Sequence, residues 1–125
     1  MPTTGGSTSL ESYGPESVLL HITGTSGNDN LRVQMENGLV RATVNNVTTY
    51  YMDSTVTSIW MEGLAGDDTI DVESNSDNPV NMYGDEGLDT LNLSFINRNL
   101  DGITAPVQAF AGADSASCNL YDDAL

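Results

Sequence analysis

The amino-acid sequence predicts an all-β chain, built as a short parallel β-helix or β-roll-like solenoid with a hairpin in its N-terminal part. Three observations support this prediction. Short runs rich in β-branched and aromatic residues alternate between apolar and polar positions with a period of two. A glycine–aspartate turn pattern recurs in register along the chain. No stretch of the sequence has a convincing helical period.

The predicted strands are short runs separated by residues that favour turns. Asn37-Gly38 predicts a tight hairpin, because both residues tolerate the positive φ that a two-residue turn requires. Asn45-Asn46 favours a second hairpin in the same way. The pattern places strands over 18–23, 30–35, 39–44, 47–52, 56–62, 69–72, 80–83, 90–95 and 106–110.

The length of 125 residues fits a single domain. Residues 1–17 are rich in glycine, serine, threonine and proline and predict a flexible leader or linker, so the ordered domain is expected over 18–125. The first seven residues contain neither basic residues nor an apolar stretch, so no cleavable signal peptide is expected among them. A single cysteine, Cys118, excludes an internal disulfide.

The chain is strongly acidic. Eighteen acidic residues against three basic ones give a formal net charge of −15 at pH 7. Such a surface repels nucleic acids and anionic membranes, and no apolar run is long enough for membrane insertion, so neither is an expected partner. The charge destabilises a compact chain unless cations neutralise it, although solubility or a salt-rich habitat explains the same composition.

The repeated pattern has the form G-x-x-G-x-D-x-U-x-U, in which U is an aliphatic residue. Its units lie 63 − 24 = 39 and 84 − 63 = 21 residues apart, so a unit near 20 residues predicts one further coil, without the motif, near 43–48. A looser fourth unit aligns 106–120 with 79–93 and predicts a degenerate cap over about 95–125. The aligned glycines and aspartates are Gly24, Gly63 and Gly84, then Gly27, Gly66 and Gly87, then Asp29, Asp68 and Asp89.

These residue types suit calcium. Glycine lets the chain bend tightly with carbonyl groups pointing inward. Calcium takes six to eight oxygen ligands from carboxylates and carbonyls, which is more than a lone turn supplies. Two turns stacked one coil apart are therefore expected to share an ion. Without metal, the same residues form good turns, in which aspartate caps the turn and glycine adopts positive φ.

The turns GTSGND (24–29), GLAGDD (63–68) and GDEGLD (84–89) resemble the hemolysin-type (RTX) calcium-binding repeat, G-G-x-G-x-D-x-U-x, and the resemblance covers about residues 20–93. It implies a parallel β-roll with calcium held between neighbouring turns by aspartates and backbone carbonyls. The second glycine of that repeat is replaced by Thr25, Leu64 and Asp85, and the spacing favours a wider β-helix. The second and third turns are the expected pair, whereas the first is predicted to lie two coils away.

The residues that this resemblance assigns to calcium come from all three turns. Carboxylates are expected from the three aligned aspartates, and further oxygens from Glu86 and the backbone of the turns. The full predicted set is Asp68, Asp89, Gly63, Ala65, Gly66, Gly84, Glu86, Gly87, Asp29, Gly24 and Gly27.

The expected function is that of a calcium-binding structural or adhesion module of a secreted or cell-surface protein, with self-association or surface and matrix components as expected partners. It is not expected to be an enzyme, because the one histidine, His21, has no recognisable partner pattern. Two alternatives stay open. A carbohydrate-active or carbohydrate-binding β-helix module would use Trp60 with Tyr50, Tyr51 and Tyr83 as a stacking platform. A calcium-independent spacer would use the turns only as turns.

Overall fold

The computed structural model describes residues 7–12, 14, 17–75, 78–93, 103, 105–110, 112 and 116–120. Within these ranges the chain is all-β and contains no helix, and hence none that is long and apolar enough to cross a membrane. The strands are β1 (Ser7–Ser12), β2 (Val18–Thr23), β3 (Asn30–Glu36), β4 (Leu39–Val44), β5 (Val47–Met52), β6 (Ser58–Glu62), β7 (Thr69–Val72), β8 (Val80–Tyr83), β9 (Asp89–Leu93), β10 (Val107–Phe110) and β11 (Ala116–Leu120).

The described strands form two mixed sheets. The first sheet has the order β1-β2-β6-β8-β10 and the second has the order β11-β9-β7-β3-β4-β5. Strands β2, β6, β8 and β10 are parallel to one another, as are β3, β7, β9 and β11. Each strand of the first set is followed along the chain by one of the second set. We call each such strand–turn–strand unit an arch.

The arches stack in the register that the sequence repeat predicts. Leu20 pairs with Ile59, Ile59 with Val80, and Val80 with Val107 in the first sheet. Val80 and Val107 are separated by the same number of residues as 79–93 and 106–120. The structure therefore confirms the predicted alignment of the fourth unit as the register of its strands. Parts of the predicted cap, including Asp114, lie outside the described residues.

A single apolar core lies between the two sheets. Because side chains alternate along a strand, every second residue of each arch points inward. The inward residues of the inner arches are almost completely buried, with no measurable exposure for Ile22, Ile59, Ile70 or Val80. The core cluster is Leu20, Ile22, Leu31, Val33, Val40, Ala42, Val44, Val56, Ile59, Met61, Ile70, Val72, Val80, Met82 and Leu91.

Both predicted hairpins are confirmed. Asn37 and Gly38 have φ of 53° and 79°, and Asn45 and Asn46 have φ of 48° and 72°. These positive values are those of the tight turns that match the twist of paired strands. Strands β3, β4 and β5 therefore form an antiparallel meander at one side of the second sheet.

The expected coil near 43–48 is wrong. Those residues belong to the β4–β5 hairpin, and β3 pairs directly with β7, with Leu31 opposite Ile70. The offset of 39 residues is thus one arch plus an inserted hairpin, because two tight turns reverse the chain within the sheet. The first and second glycine–aspartate turns are consequently neighbours and do not lie two coils apart.

Strand β1 lies inside the range whose composition predicts a flexible leader. Residues Ser7–Ser12 pair antiparallel with β2, with Leu10 opposite Leu20. The range looks like a linker because β1 carries one large apolar side chain among serine and threonine. Strand β1 nevertheless forms, because its backbone N–H and C=O groups pair with those of β2. Any residue except proline provides both groups.

A polar ladder crosses the second sheet at one register. Arg32 donates to Asp71 over 2.9 Å, Asn92 donates to the other Asp71 oxygen over 2.7 Å, and Asn119 donates to Asn92 over 3.0 Å. Asp71 and Asn92 are only 3% and 4% exposed. Buried polar groups need such partners, so this ladder specifies which residues face each other across four strands.

His21 ties β1 to the first sheet. Its Nδ1 lies 3.0 Å from Glu11 Oε2 on β1, and its Nε2 contacts Glu62 on β6. Burial alone lowers the pKa of His21, but the hydrogen bonds and charges of the two glutamates outweigh burial and raise it.

We expect the free energy of unfolding to depend on the protonation of His21. Its pKa lies above the ordinary value of 6.5, so the protonated form stabilises the fold below pH 6.5. This contribution is lost as the pH rises through the raised pKa. Urea unfolding of wild type and His21→Gln from pH 5 to 9 tests this, because the difference between the two curves should shrink with rising pH. A constant difference would contradict the assignment.

Candidate cation site at the glycine–aspartate turns

The three glycine–aspartate turns lie side by side where the arches pass from the first sheet to the second. Backbone hydrogen bonds anchor the start of each turn, from Gly24 N to Glu62 O at 2.8 Å and from Gly63 N to Tyr83 O at 2.8 Å. The ends are anchored similarly, from Thr69 N to Asp29 O at 2.8 Å. The strand ladders thus continue into the turns and bring the three aligned aspartates together.

The aspartates form a buried column that we call the carboxylate column. Asp29, Asp68 and Asp89 are only 4%, 1% and 2% exposed. The backbone N–H of Asp29 donates to Asp68 Oδ1 over 2.8 Å, and the N–H of Asp68 donates to Asp89 Oδ1 over 2.9 Å. Each of these carboxylates therefore binds the turn of the preceding arch.

The first glycine of each turn is required by the aspartate that follows it. A Cβ on Gly24 would lie 2.6 Å from Asp29 Oδ2, and a Cβ on Gly63 would collide with the Asp68 carboxylate. The aspartate folds back over the start of its own turn, and only glycine leaves room for it. This contact explains the five-residue spacing between the glycine and the aspartate without any metal.

The second glycine is required by the close approach of neighbouring turns. A Cβ on Gly66, whose φ is 95°, would lie 2.5 Å from the carbonyl oxygen of Gly27. Gly87, with φ of 103°, is seated in the same way against the carbonyl of Gly66. The glycines at this position let one turn rest directly on the next.

The first turn differs from the other two in its backbone. Leu64 and Asp85 replace the second consensus glycine and have φ of 70° and 64°, which is the left-handed region that glycine adopts without strain. Thr25 stands at the same position in the first turn and is not among the described residues with positive φ. The second and third turns therefore share one conformation.

Hydrogen bonds from the protein complete the first turn. Asp29 Oδ2 accepts from the Thr25 backbone over 2.6 Å, and Asp29 Oδ1 accepts from Thr25 Oγ1 over 2.9 Å and from Asn45 Nδ2 over 2.8 Å. Burial alone raises the pKa of Asp29, but these hydrogen bonds outweigh it and lower the pKa. The ionised carboxylate of Asp29 is thus held by the protein itself.

In the second turn, the aspartate carboxylate does not receive the equivalent hydrogen bonds from the described residues. The Leu64 backbone N–H, at the position of Thr25, donates over 3.3 Å to Asp85 of the third turn. Asp68 Oδ2 is buried and has no hydrogen-bond partner within the described part of the chain. Burial, together with the neighbouring charges of Asp29 and Asp89, raises the pKa of Asp68 to about 7.

The other acidic residues of the turns have separate positions. Asp67 accepts from the Leu88 backbone N–H over 2.8 Å, so its carboxylate joins two turns. Asp85 and Glu86 line an open groove of about 430 Å³, together with Glu62, Leu64, Ala65 and Gly112. Ala116 is the register partner of Asp89 in the fourth arch, so that register position carries no carboxylate.

The fit to calcium differs between the turns. No group of three or more His, Cys, Asp or Glu side chains in the described ranges is arranged to hold a metal, so an ion would need backbone carbonyls as well. The buried Asp68 Oδ2 fits such an ion, with Asp89 as the neighbouring carboxylate. Both oxygens of Asp29 already accept hydrogen bonds, which does not fit a ligand role for the first turn.

Comparisons of the chain with models of known protein families, with curated proteins and with solved structures gave no match. A functional proposal therefore depends on the geometry of the turns and sheets.

The four aromatic residues suggested as a sugar platform do not come together. Trp60 and Tyr83 lie on the first sheet, with ring centroids 5.1 Å apart, whereas Tyr50 and Tyr51 belong to β5 of the second sheet. Phe110, which sequence reasoning missed, stacks on Tyr83 at 4.8 Å with an interplanar angle of 8°. The facing surfaces of the Tyr83 and Phe110 rings cover each other.

We expect Gly66→Ala to destabilise the fold more than Gly38→Ala. Both glycines have positive φ, but nothing lies within 4 Å of a Cβ on Gly38. Gly38→Ala should therefore cost about 1–2 kcal/mol from backbone strain alone. Gly66→Ala adds a clash with the Gly27 carbonyl and should cost clearly more, about 3 kcal/mol or above. Urea unfolding measures both, and equal losses would contradict the stacking of the turns.

We expect Leu64→Gly to stabilise the fold by about 1 kcal/mol, because glycine adopts the left-handed φ of this position without strain. Thr25→Gly is the matched control at the same position of the first turn. It should destabilise the fold, because it removes the hydroxyl that binds Asp29 and gains no relief of strain. Thermal unfolding of the two variants beside wild type checks the signs, and stabilisation by Thr25→Gly would refute this account of the first turn.

Proposed function

We propose that the chain is a short parallel β-solenoid that serves as a calcium-stabilised structural module of a secreted or cell-surface protein, without catalytic activity. The parallel, in-register stacking of the arches supports the solenoid interpretation. Solenoid repeats cannot bury their apolar faces alone, and neighbouring repeats complete the core. The stacked arches here share one core in the same manner.

The observation that carries the calcium proposal is the burial of the Asp68 carboxylate and its incomplete hydrogen bonding. Its side chain is buried between two further carboxylates, and one of its oxygens has no hydrogen-bond partner in the described residues. An uncompensated buried charge costs several kcal/mol unless a counter-charge neutralises it. A proton or a cation would remove this cost, and calcium suits carboxylate and carbonyl oxygens.

Asp68 and Asp89 are the proposed side-chain ligands, with backbone carbonyls of the second and third turns as the remaining ones. The ion supplies positive charge that neutralises the carboxylate column and holds the two turns together. We exclude Asp29 from the ligands, because Thr25 and Asn45 already satisfy its carboxylate.

The location outside the cell is proposed from the net charge of the chain and from the expected affinity for calcium. A net charge of −15 is best tolerated where divalent cations are plentiful. Extracellular calcium modules bind with dissociation constants of about 10⁻⁴–10⁻³ M, which suits a site built from two carboxylates.

A calcium-independent structural spacer is the second candidate, and the first turn favours it. That turn is fully closed by protein hydrogen bonds, and the contacts around Gly24 and Gly66 explain the motif without metal. The two candidates differ only in how the charge of Asp68 is neutralised.

We expect calcium to raise the free energy of unfolding of the wild type by about 1–3 kcal/mol at about 10 mM, given the affinity above. Asp68→Asn should lose this gain. In chelator the same variant should be at least as stable as wild type, because the buried charge is gone while Oδ1 still accepts from the Asp29 N–H. Chemical unfolding in EDTA, calcium and magnesium measures these differences.

Asp67→Asn is the matched control, because it removes a carboxylate from the same turn at an exposed position and keeps the oxygen that accepts from Leu88. It should retain the calcium response. A wild type whose stability is unchanged by calcium, with no heat in titration calorimetry, would leave the calcium-independent spacer as the function.

A further inference from the structure

The second position of each glycine–aspartate turn differs in residue type and in conformation. Thr25 holds this position in the first turn, Leu64 in the second and Asp85 in the third. Leu64 and Asp85 have φ of 70° and 64°, whereas Thr25 is not among the described residues with positive φ. The backbone N–H at this position accordingly has a different acceptor in the first turn and in the second.

In the first turn, this N–H binds the aspartate of its own turn. The Thr25 N–H donates to Asp29 Oδ2 over 2.6 Å. The same oxygen lies 2.6 Å from the place of a Cβ on Gly24, so the carboxylate folds over the start of the turn. Asp68 folds over Gly63 with its corresponding oxygen. The two carboxylates thus have the same position in their turns, but among the described residues Asp68 Oδ2 lacks the donor that Asp29 Oδ2 has.

In the second turn, the N–H points to the next turn instead. The Leu64 N–H donates over 3.3 Å to Asp85 Oδ2, 21 residues further along the chain. Leu64 itself stands at the corresponding place beside Thr25, and its apolar side chain cannot accept a hydrogen bond. The residue at the second position of the next turn therefore decides where the N–H can find an acceptor.

Two carboxylates compete for the Leu64 N–H. Turned inward, it would give Asp68 Oδ2 the donor that Thr25 gives to Asp29, and it would relieve the strain of a left-handed φ in leucine. Turned outward, as in the structure, it binds the charged and therefore strong acceptor Asp85. Without that acceptor, both the strain and the incomplete hydrogen bonding of Asp68 favour the inward direction.

We propose that Asp85 is a positioning residue of the calcium site, because its carboxylate holds the Leu64 N–H outward and keeps Asp68 Oδ2 open to a cation. The inference rests on the function proposed above, in which Asp68 and Asp89 bind calcium. Asp85 acts through the backbone of the second turn and is not itself a ligand. Its effect is one of preorganisation, since an ion binds more weakly when the competent conformation is only partly populated.

The stacking of the turns does not depend on Asp85. The Asp68 N–H donates to Asp89 Oδ1 over 2.9 Å, and the Leu88 N–H donates to Asp67 Oδ1 over 2.8 Å. These two bonds join the second and third turns at other positions. Removal of the Asp85 side chain should therefore leave the fold intact and change only the conformation of the second turn.

Asp85→Gly and Asp85→Asn form the matched pair that tests the proposal. Both variants remove the charge, and both new residues tolerate a left-handed φ, but only asparagine keeps an oxygen that accepts from Leu64. In calorimetric titration of the full chain with calcium chloride, Asp85→Gly should bind about three to ten times more weakly than Asp85→Asn. Equal affinities of the two variants would overturn the proposal. So would an unfolded Asp85→Gly in circular dichroism, because Asp85 would then be a structural residue.

The conformation of Leu64 is measured separately by nuclear magnetic resonance in EDTA. A positive φ brings the amide and α protons of a residue close together, so wild type and Asp85→Asn should show a strong Overhauser effect between these protons of Leu64. In Asp85→Gly this signal should weaken, and the Leu64 amide should gain protection from hydrogen exchange as it turns to Asp68. An unchanged Leu64 would overturn the proposal. A wild type that binds no calcium would instead refute the proposed function, and the signals of Leu64 would still decide whether Asp85 controls the turn.

Discussion

The hydrogen bond from an aspartate carboxylate to the backbone N–H of the neighbouring turn is the constraint on which the rest of the site depends. It occurs between Asp68 and Asp29 and again between Asp89 and Asp68. The bond sets the register between arches, because a shift of one residue would separate donor and acceptor and turn core side chains outward. It also brings the three carboxylates of the column together in the protein interior, and this creates the electrostatic problem that an ion or a proton must solve.

The glycine–aspartate motif has a steric explanation that is independent of metal. The first glycine makes room for the aspartate, and the second lets one turn rest on the carbonyl of another. The motif alone therefore does not distinguish a calcium site from a plain turn. Hydrogen-bond donors make the distinction. Thr25 and Asn45 donate to the Asp29 carboxylate, whereas Asp68 Oδ2 has no donor in the part of the chain that the structure describes.

The two sheets hold the arches together by different side-chain columns. In the second sheet the ladder from Arg32 through Asp71 to Asn92 is buried and hydrogen-bonded. In the first sheet the rings of Trp60, Tyr83 and Phe110 stack across three strands. The ring column extends to Phe110 on β10, and the ladder extends to Asn119 on β11.

The sequence by itself determined the strands of the inner arches, both hairpins and the register between arches. These follow from local rules, since apolar residues alternate along a strand and Asn37-Gly38 adopts positive φ in any tight hairpin. The pattern missed β1, because its serines and threonines carry no apolar alternation, and it did not single out the Asp71–Asn92 ladder or Phe110. Such pairings depend on which strands become neighbours.

Only the tertiary structure decided which turns are adjacent and that Asp68 Oδ2 has no donor among the described residues. Chain spacing counts residues but does not say whether they form a coil or a hairpin, so the 39-residue offset misplaced the first turn. The partners of the carboxylates come from other turns: Asn45 lies 16 residues beyond Asp29, and the Leu64 N–H turns to Asp85, 21 residues away. Asp29 and Asp68 have the same place in the motif, and the donors that surround them give them different chemistry.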